Sequence, residues 1–144
     1  MRPRRMILAT AVLIASACAT TGGSGAGPAI EGATWRLVEA AGTPAPTPEG
    51  DRYAYVRMLA DSGRAEGNGG CNRMSGPFTR EGDSLRVGPM ISTKMACAEE
   101  ARNRAEVAFM GALERTRAYR MSGDTLSLLG DGGDVLARLV RGAP

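Results

Sequence analysis

At 144 residues, with 43% hydrophobic and 23% charged residues, the chain suffices for one domain with a real core and is too short for two comfortable ones. Eighteen Lys and Arg stand against fifteen Asp and Glu, and histidine is absent. Without histidine neither a Ser-His-Asp nor a Cys-His pair can be assembled, and the two cysteines left after the first cannot complete a metal site alone.

The chain opens on three arginines within MRPRR, followed by the apolar run MILATAVLIA at residues 6–15. Basic residues, a short apolar run and then small residues are the order of a secretory signal, and the run is too short to span a bilayer. The small residues end in ASAC at residues 15–18, which resembles the lipobox of bacterial lipoproteins, with Ala15 where leucine is usual. That resemblance implies cleavage before Cys18 and acylation of its sulfur and new amino group, which anchors the chain stably because two or more acyl chains act together. Residues 1–17 are thus predicted to be a signal peptide. Ala19 is not the aspartate that retains many lipoproteins at the inner membrane, so the expected location is the outer membrane, facing the periplasm. Loss of Arg2, Arg4 and Arg5 with the signal leaves fifteen charges of each sign. A balanced chain without a block of like charge predicts no nucleic-acid partner.

Residues 18–32 combine Cys18 with a Thr/Gly/Ser/Ala/Pro stretch, which reads as a flexible tether. The domain is predicted to span residues 33–141. Residues 33–40 (ATWRLVEA) and 52–60 (RYAYVRMLA) read as strands, separated by GTPAPTPEG, whose three prolines cannot pair as a central strand. DSG at residues 61–63 turns the chain toward a strand at 64–68. Runs at 76–80 and 84–87 flank EGD, runs at 117–121 and 125–129 flank SGD, and DGGD leads into 135–140. These turn-linked runs predict an antiparallel meander of hairpins. Residues 98–117 break the pattern: Ala101, Ala105, Ala108, Phe109, Ala112 and Leu113 fall at helical spacing, and Glu99 and Glu100 favour the first turn. Arg102 and Glu106, four apart, read as an exposed supporting pair. Phe109 and Leu113 read as core, as do Met90, Met95, Met110 and Met121.

With Cys18 assigned to lipid, Cys71 and Cys97 remain as a pair in an exported chain, which predicts a disulfide. Closing that loop of roughly 27 residues removes about 3–4 kcal/mol of unfolded-state entropy in the chain-entropy model. Other chemistry has little support. Glu99 and Glu100 open a helix, Asp131 and Asp134 flank a turn, and Ser92 with Lys94 is a chance spacing. The glycine-rich GNGGCNRMSG at residues 67–76 lacks the lysine of a phosphate loop, and no helix pattern follows it. Its glycines read instead as architecture: positive φ or close backbone approach where the chain reverses.

GNGGCNRMSGPF, then ISTKMACAEEARNRAEVAFMGAL, then YRMSGDTLSLL resemble the META domain of HslJ-type bacterial envelope lipoproteins. The resemblance runs from residue 33 to 140 and rests on Trp35; Gly67, Gly70, Cys71, Asn72, Gly76 and Phe78; Thr93, Met95, Ala96 and Cys97; Glu106, Phe109 and Leu113; and Leu126 and Leu128. It departs at Phe78, where tyrosine is common, and at the proline-rich loop. It implies an α+β fold, a strongly curved antiparallel sheet or partial barrel of hairpins packed against one main helix. It also implies no known enzymatic activity and an association of relatives with heat shock, drug tolerance or motility without a settled molecular role; no cofactor is expected.

Two functions are consistent with this reading. One is a monomeric, non-catalytic module that binds or supports another envelope protein or component. The other is a carrier of a lipid or small hydrophobic ligand in a cavity of the curved sheet. For the binding module, the candidate surface is Asn72, Arg73, Thr93 and Lys94, which a Cys71–Cys97 bond would bring together on loops held by a stiff scaffold.

Overall fold

In the computed structural model the chain is described at residues 29–48, 50, 52–95 and 97–142. The signal, Cys18 and most of the tether lie outside the described residues. In chain order the elements are β1 Thr34–Ala40, β2 Thr43–Pro44, β3 Tyr55–Leu59, β4 Arg64–Asn68, β5 Arg73–Glu81, β6 Ser84–Val87, β7 Ile91–Ser92, α1 Glu100–Arg115, β8 Ala118–Ser122, β9 Thr125–Leu129 and β10 Val135–Arg141.

All pairings are antiparallel, and hydrogen bonds link the strands in the order β10-β9-β8-β6-β5-β4-β3-β1-β2. The order then returns on itself, because β10 also pairs with β1 from Trp35↔Arg141 to Ala40↔Ala137. The sheet is therefore a curved ring. It stops short of a regular barrel at β6 and β8, which share the single residue pair Ser84↔Ala118. Two flanking backbone bonds support that join: Leu85 N–H to Arg117 O at 3.0 Å and Tyr119 N–H to Asp83 O at 3.0 Å.

Period-two alternation places one face of each strand inside the ring. Val56 and Met58 of β3, Leu85 of β6, Leu126 and Leu128 of β9 and Leu139 of β10 are fully buried there. The helix α1 contacts β1, β6 and β10 and adds Phe109 and Leu113, also fully buried. Trp35 lies among them, its indole N–H donating to Ile30 O at 2.7 Å, so its polar edge is satisfied although no part of the ring reaches water. Truncating such an aromatic costs about 3–5 kcal/mol.

The hairpins and the helix follow the sequence pattern, and four details differ. Packing begins earlier than residue 33: Ile30 is fully buried, and Glu31 pairs with Arg80 at 2.6 Å. A lone apolar residue in a Gly/Ala/Pro stretch carries no period to announce it. The strand expected from Gly76 starts at Arg73, pairing Asn68↔Arg73 with β4. The helix runs Glu100–Arg115 and stops where buried Thr116 turns extended, its hydroxyl donating to Ala112 O at 2.8 Å. Met95 is 62% exposed and does not belong to the core, because it sits on the loop before the helix.

Candidate functional site

The glycine-rich stretch is a corner. β4 ends at Asn68, β5 begins at Arg73, and residues 69–72 reverse the chain between them, with Gly69 N–H donating to Asn72 O at 2.9 Å. Gly70 takes φ +119°, a conformation that residues with a Cβ avoid, and its N–H is held by Asn68 Oδ1 at 2.7 Å. Gly69 is needed for space: a Cβ there would overlap the Glu106 side chain.

Glu106 reaches this corner from α1. Its Oε2 accepts the Cys71 and Asn72 backbone N–H groups at 3.2 and 2.7 Å, and its Oε1 accepts Asn72 Nδ2 at 2.6 Å. Asn72 passes the connection on. Its Oδ1 accepts the Thr93 hydroxyl at 2.8 Å and the Met95 N–H at 2.7 Å, while Nδ2 also donates to Met95 O at 3.1 Å. The disulfide Cys71–Cys97, with Cα atoms 5.8 Å apart, joins the same two segments. Helix, corner, Thr93, Met95 and Cys97 are thus locked by one covalent bond and one polar network, in which every hydrogen-bonding atom of the Asn72 side chain is occupied.

This arrangement changes the reading of three residues. Asn72 is only 5% exposed, so it is the hub of the corner and not part of a partner surface. Thr93 is exposed, but its hydroxyl is committed to Asn72. Of the four candidates, Arg73 and Lys94 stand free at the surface. Glu106 is 7% exposed and faces inward, contrary to its reading as a surface partner of Arg102. Arg102 instead contacts Glu99 Oε2 at 3.2 Å and donates to Thr47 O at 3.2 Å. The signal that marks Glu106 is its register: it lies three residues before Phe109 and seven before Leu113, on the buried stripe of the helix.

Beside the corner lies a cleft on the outer face of the sheet. Register sets Arg36, Tyr55, Asn68 and Arg73 in one row across β1, β3, β4 and β5, and Arg57, Glu66, Ser75 and Ile91 in the next. Tyr53 and Tyr55 form its floor, their ring centroids 5.5 Å apart and tilted by 51°, and the Arg36 guanidinium sits 4.7 Å over the Tyr53 ring. Three hollows of about 290, 500 and 580 Å³ make up the cleft. The first and third share Arg52 and Tyr53, and the second and third share Tyr55 and Arg73. The largest is walled by Cys71 and Cys97. An adjoining, mostly apolar groove of about 410 Å³ runs between the proline-rich loop and α1, sharing Leu37, Pro46 and Ala105 with the first hollow.

Among the described residues no group of three or more His, Cys, Asp or Glu is placed to hold a metal, and no helix is long and apolar enough to cross a membrane.

A ring of antiparallel hairpins closed on one helix, with a glycine corner stapled by a disulfide, defines an α+β domain of a specific kind. The chain belongs to the META domain family, whose model matches residues 28–143. It is similar to a protein from Burkholderia xenovorans solved by NMR, at 25% identity and TM-score 0.59, covering 80% of this chain and 85% of that one. The fold also matches a second NMR structure at 18% identity and TM-score 0.60, over 77% of this chain and 91% of that one. A DUF4847 family protein from Bacteroides vulgatus shares the fold at 18% identity and TM-score 0.52, over 77% and 93% of the two chains. No curated protein matches this chain.

Proposed function

We propose that this META domain is a non-catalytic binding module of the bacterial envelope, anchored through acylated Cys18 and presenting its outer face to another envelope component. The observation that carries this reading is how the residues best suited to chemistry are used. Cys71 and Cys97 are bonded to each other, and Glu106 and Asn72 are buried in mutual hydrogen bonds. Such groups stiffen a corner, and a stiff corner that displays Arg73 and Lys94 suits recognition. The carrier reading is weaker because Trp35, Phe109, Met58 and the leucines fill the ring where a ligand would lie. A role in stress or drug tolerance, which the family resemblance suggests, would act through the bound component.

Two experiments test this. Replacing Cys18 by Ser is expected to leave a soluble or unprocessed precursor in place of a mature membrane-bound form; a Cys18→Ser chain that is still cleaved and still fractionates with the outer membrane refutes the anchor. Photo-reactive residues at positions 73 and 94, activated in cells, are expected to capture a specific envelope protein, with lipid extraction of the purified protein run alongside. A copurifying lipid with no captured protein overturns the binding module in favour of the carrier.

A further inference from the structure

The charge on this domain is not evenly matched. Arg64, Arg80, Arg104, Arg117, Arg138 and Arg141 each reach a carboxylate. In the outer cleft the pattern changes: Arg36, Arg52, Arg57 and Arg73 line it without a carboxylate partner among the described residues. Among the described residues the acids of the lining are already engaged, Glu66 with Arg64 at 3.7 Å and Glu99 with Arg102 at 3.2 Å. Arg86, Arg115 and Arg120 also lack such a partner, but they lie on β6, α1 and β8, outside the cleft lining.

Resting on the binding-module reading, we infer that this cleft docks an extended acidic segment of a partner protein. Unmatched guanidinium groups select carboxylates, whose geometry their planar fork fits. Their company narrows the class further. Arginine beside tyrosine is the composition of protein–protein hot spots, where rigid rings supply contact area at low entropic cost, and here Arg36 is already stacked on Tyr53. Arg36 also keeps a buried Nε without an acceptor among the described residues, an arrangement that folding alone does not favour. Strand addition is excluded at this place, because β1, β3, β4 and β5 each have neighbours on both sides. The partner is therefore read through side chains. From Arg36 to Arg73 the row crosses three strand spacings, about 14 Å, the length of about four extended residues. Exposed Ile91 at one end of the cleft adds an apolar footing.

The test uses the full chain in detergent micelles and a fluorescent deca-glutamate peptide, followed by anisotropy at low and high salt. Saturable binding is expected, weakening as salt screens it. Charge reversal of the cleft pair, Arg36→Glu with Arg73→Glu, is expected to weaken binding by about tenfold or more without a comparable fall in melting temperature. Reversal of a control pair, Arg86→Glu with Arg120→Glu, makes the same change in net charge and is expected to alter binding by less than about twofold. No saturable binding, or an equal loss in both pairs, overturns the inference. Tighter binding of polygalacturonate through the same two arginines overturns it in favour of an acidic glycan. A protein captured in cells at position 73, with deca-glutamate failing to bind, refutes the acidic partner while leaving the binding module standing.

Discussion

The buried carboxylate of Glu106 offers the sharpest test of how the corner is held. In Glu106→Gln one oxygen becomes an NH₂ group, and neither orientation of the amide satisfies its surroundings. Placed at Oε2, the NH₂ faces two backbone donors, those of Cys71 and Asn72; placed at Oε1, it faces Asn72 Nδ2 at 2.6 Å. The second orientation costs less, since it forfeits one charge-assisted bond and leaves two neutral ones, a loss of about 2–3 kcal/mol. In Glu106→Ala three donors lose their acceptor and the cost rises to about 3–5 kcal/mol. At about 4 °C per kcal/mol for a domain of this size, Gln should lower the melting midpoint by about 8–12 °C. Circular dichroism melts and urea titrations of the oxidised protein measure this, with Val107→Gln on the exposed side of the same helix, 72% exposed, as the control. A Glu106→Gln midpoint within about 1 °C of the parent would mean that the carboxylate does not hold the corner. If the carboxylate does hold the corner, a double-mutant cycle with Asn72→Ala shows strong coupling, since the two side chains share one network.

Two further outcomes follow from the same contacts. Cys71→Ala should cost about 3–4 kcal/mol under oxidising conditions and almost nothing in reductant; an equal cost in both would assign the effect to local packing. Burial opposes ionisation of Glu31, but the hydrogen bond and charge of Arg80, with backbone N–H groups, outweigh it and hold its carboxyl below the usual 4.5. A carboxyl depressed on folding stabilises the protein above the unfolded pKa and loses that contribution as pH falls through the folded one. The melting difference between the parent and Glu31→Gln should therefore be constant above pH 4.5 and close as the pH drops further; a difference that persists at the lowest pH would refute the ion pair as its source.

How much of this was legible in the sequence depends on the range of the interaction. Hairpins announce themselves within ten residues, through EGD, SGD and DGGD, and the expected bounds of β4, β6 and β9 match the structure while β5 begins three residues earlier than its pattern. The ring closure was not legible, because Trp35 and Arg141 carry no local mark of each other. Glu106 departs from its expected place for a different reason: charge argues for solvent while register argues for the core, and only the donors of Cys71 and Asn72 resolve the conflict. The same donors explain why Asn72, which looked like a surface residue of a polar loop, is enclosed. The arginine–tyrosine cleft was illegible because its members come from β1, β3, β5 and the loop before β3, and only strand register sets them side by side.

The pairing of β1 with β10 also bears on how the molecule is made. One neighbour of the first strand is the last one, and Gly142 N–H returns to Thr34 O at 2.7 Å. A chain still under synthesis holds β1 for the whole length of the domain with one of its edges open. Contacts so distant in sequence place folding at the slow end of the range for small domains, milliseconds to seconds. During that time the edge of β1 can template another chain. A protein cut before residue 135 lacks β10 and keeps both β1 and β9 unpaired on one side, and two such chains can cover those edges only by pairing edge to edge.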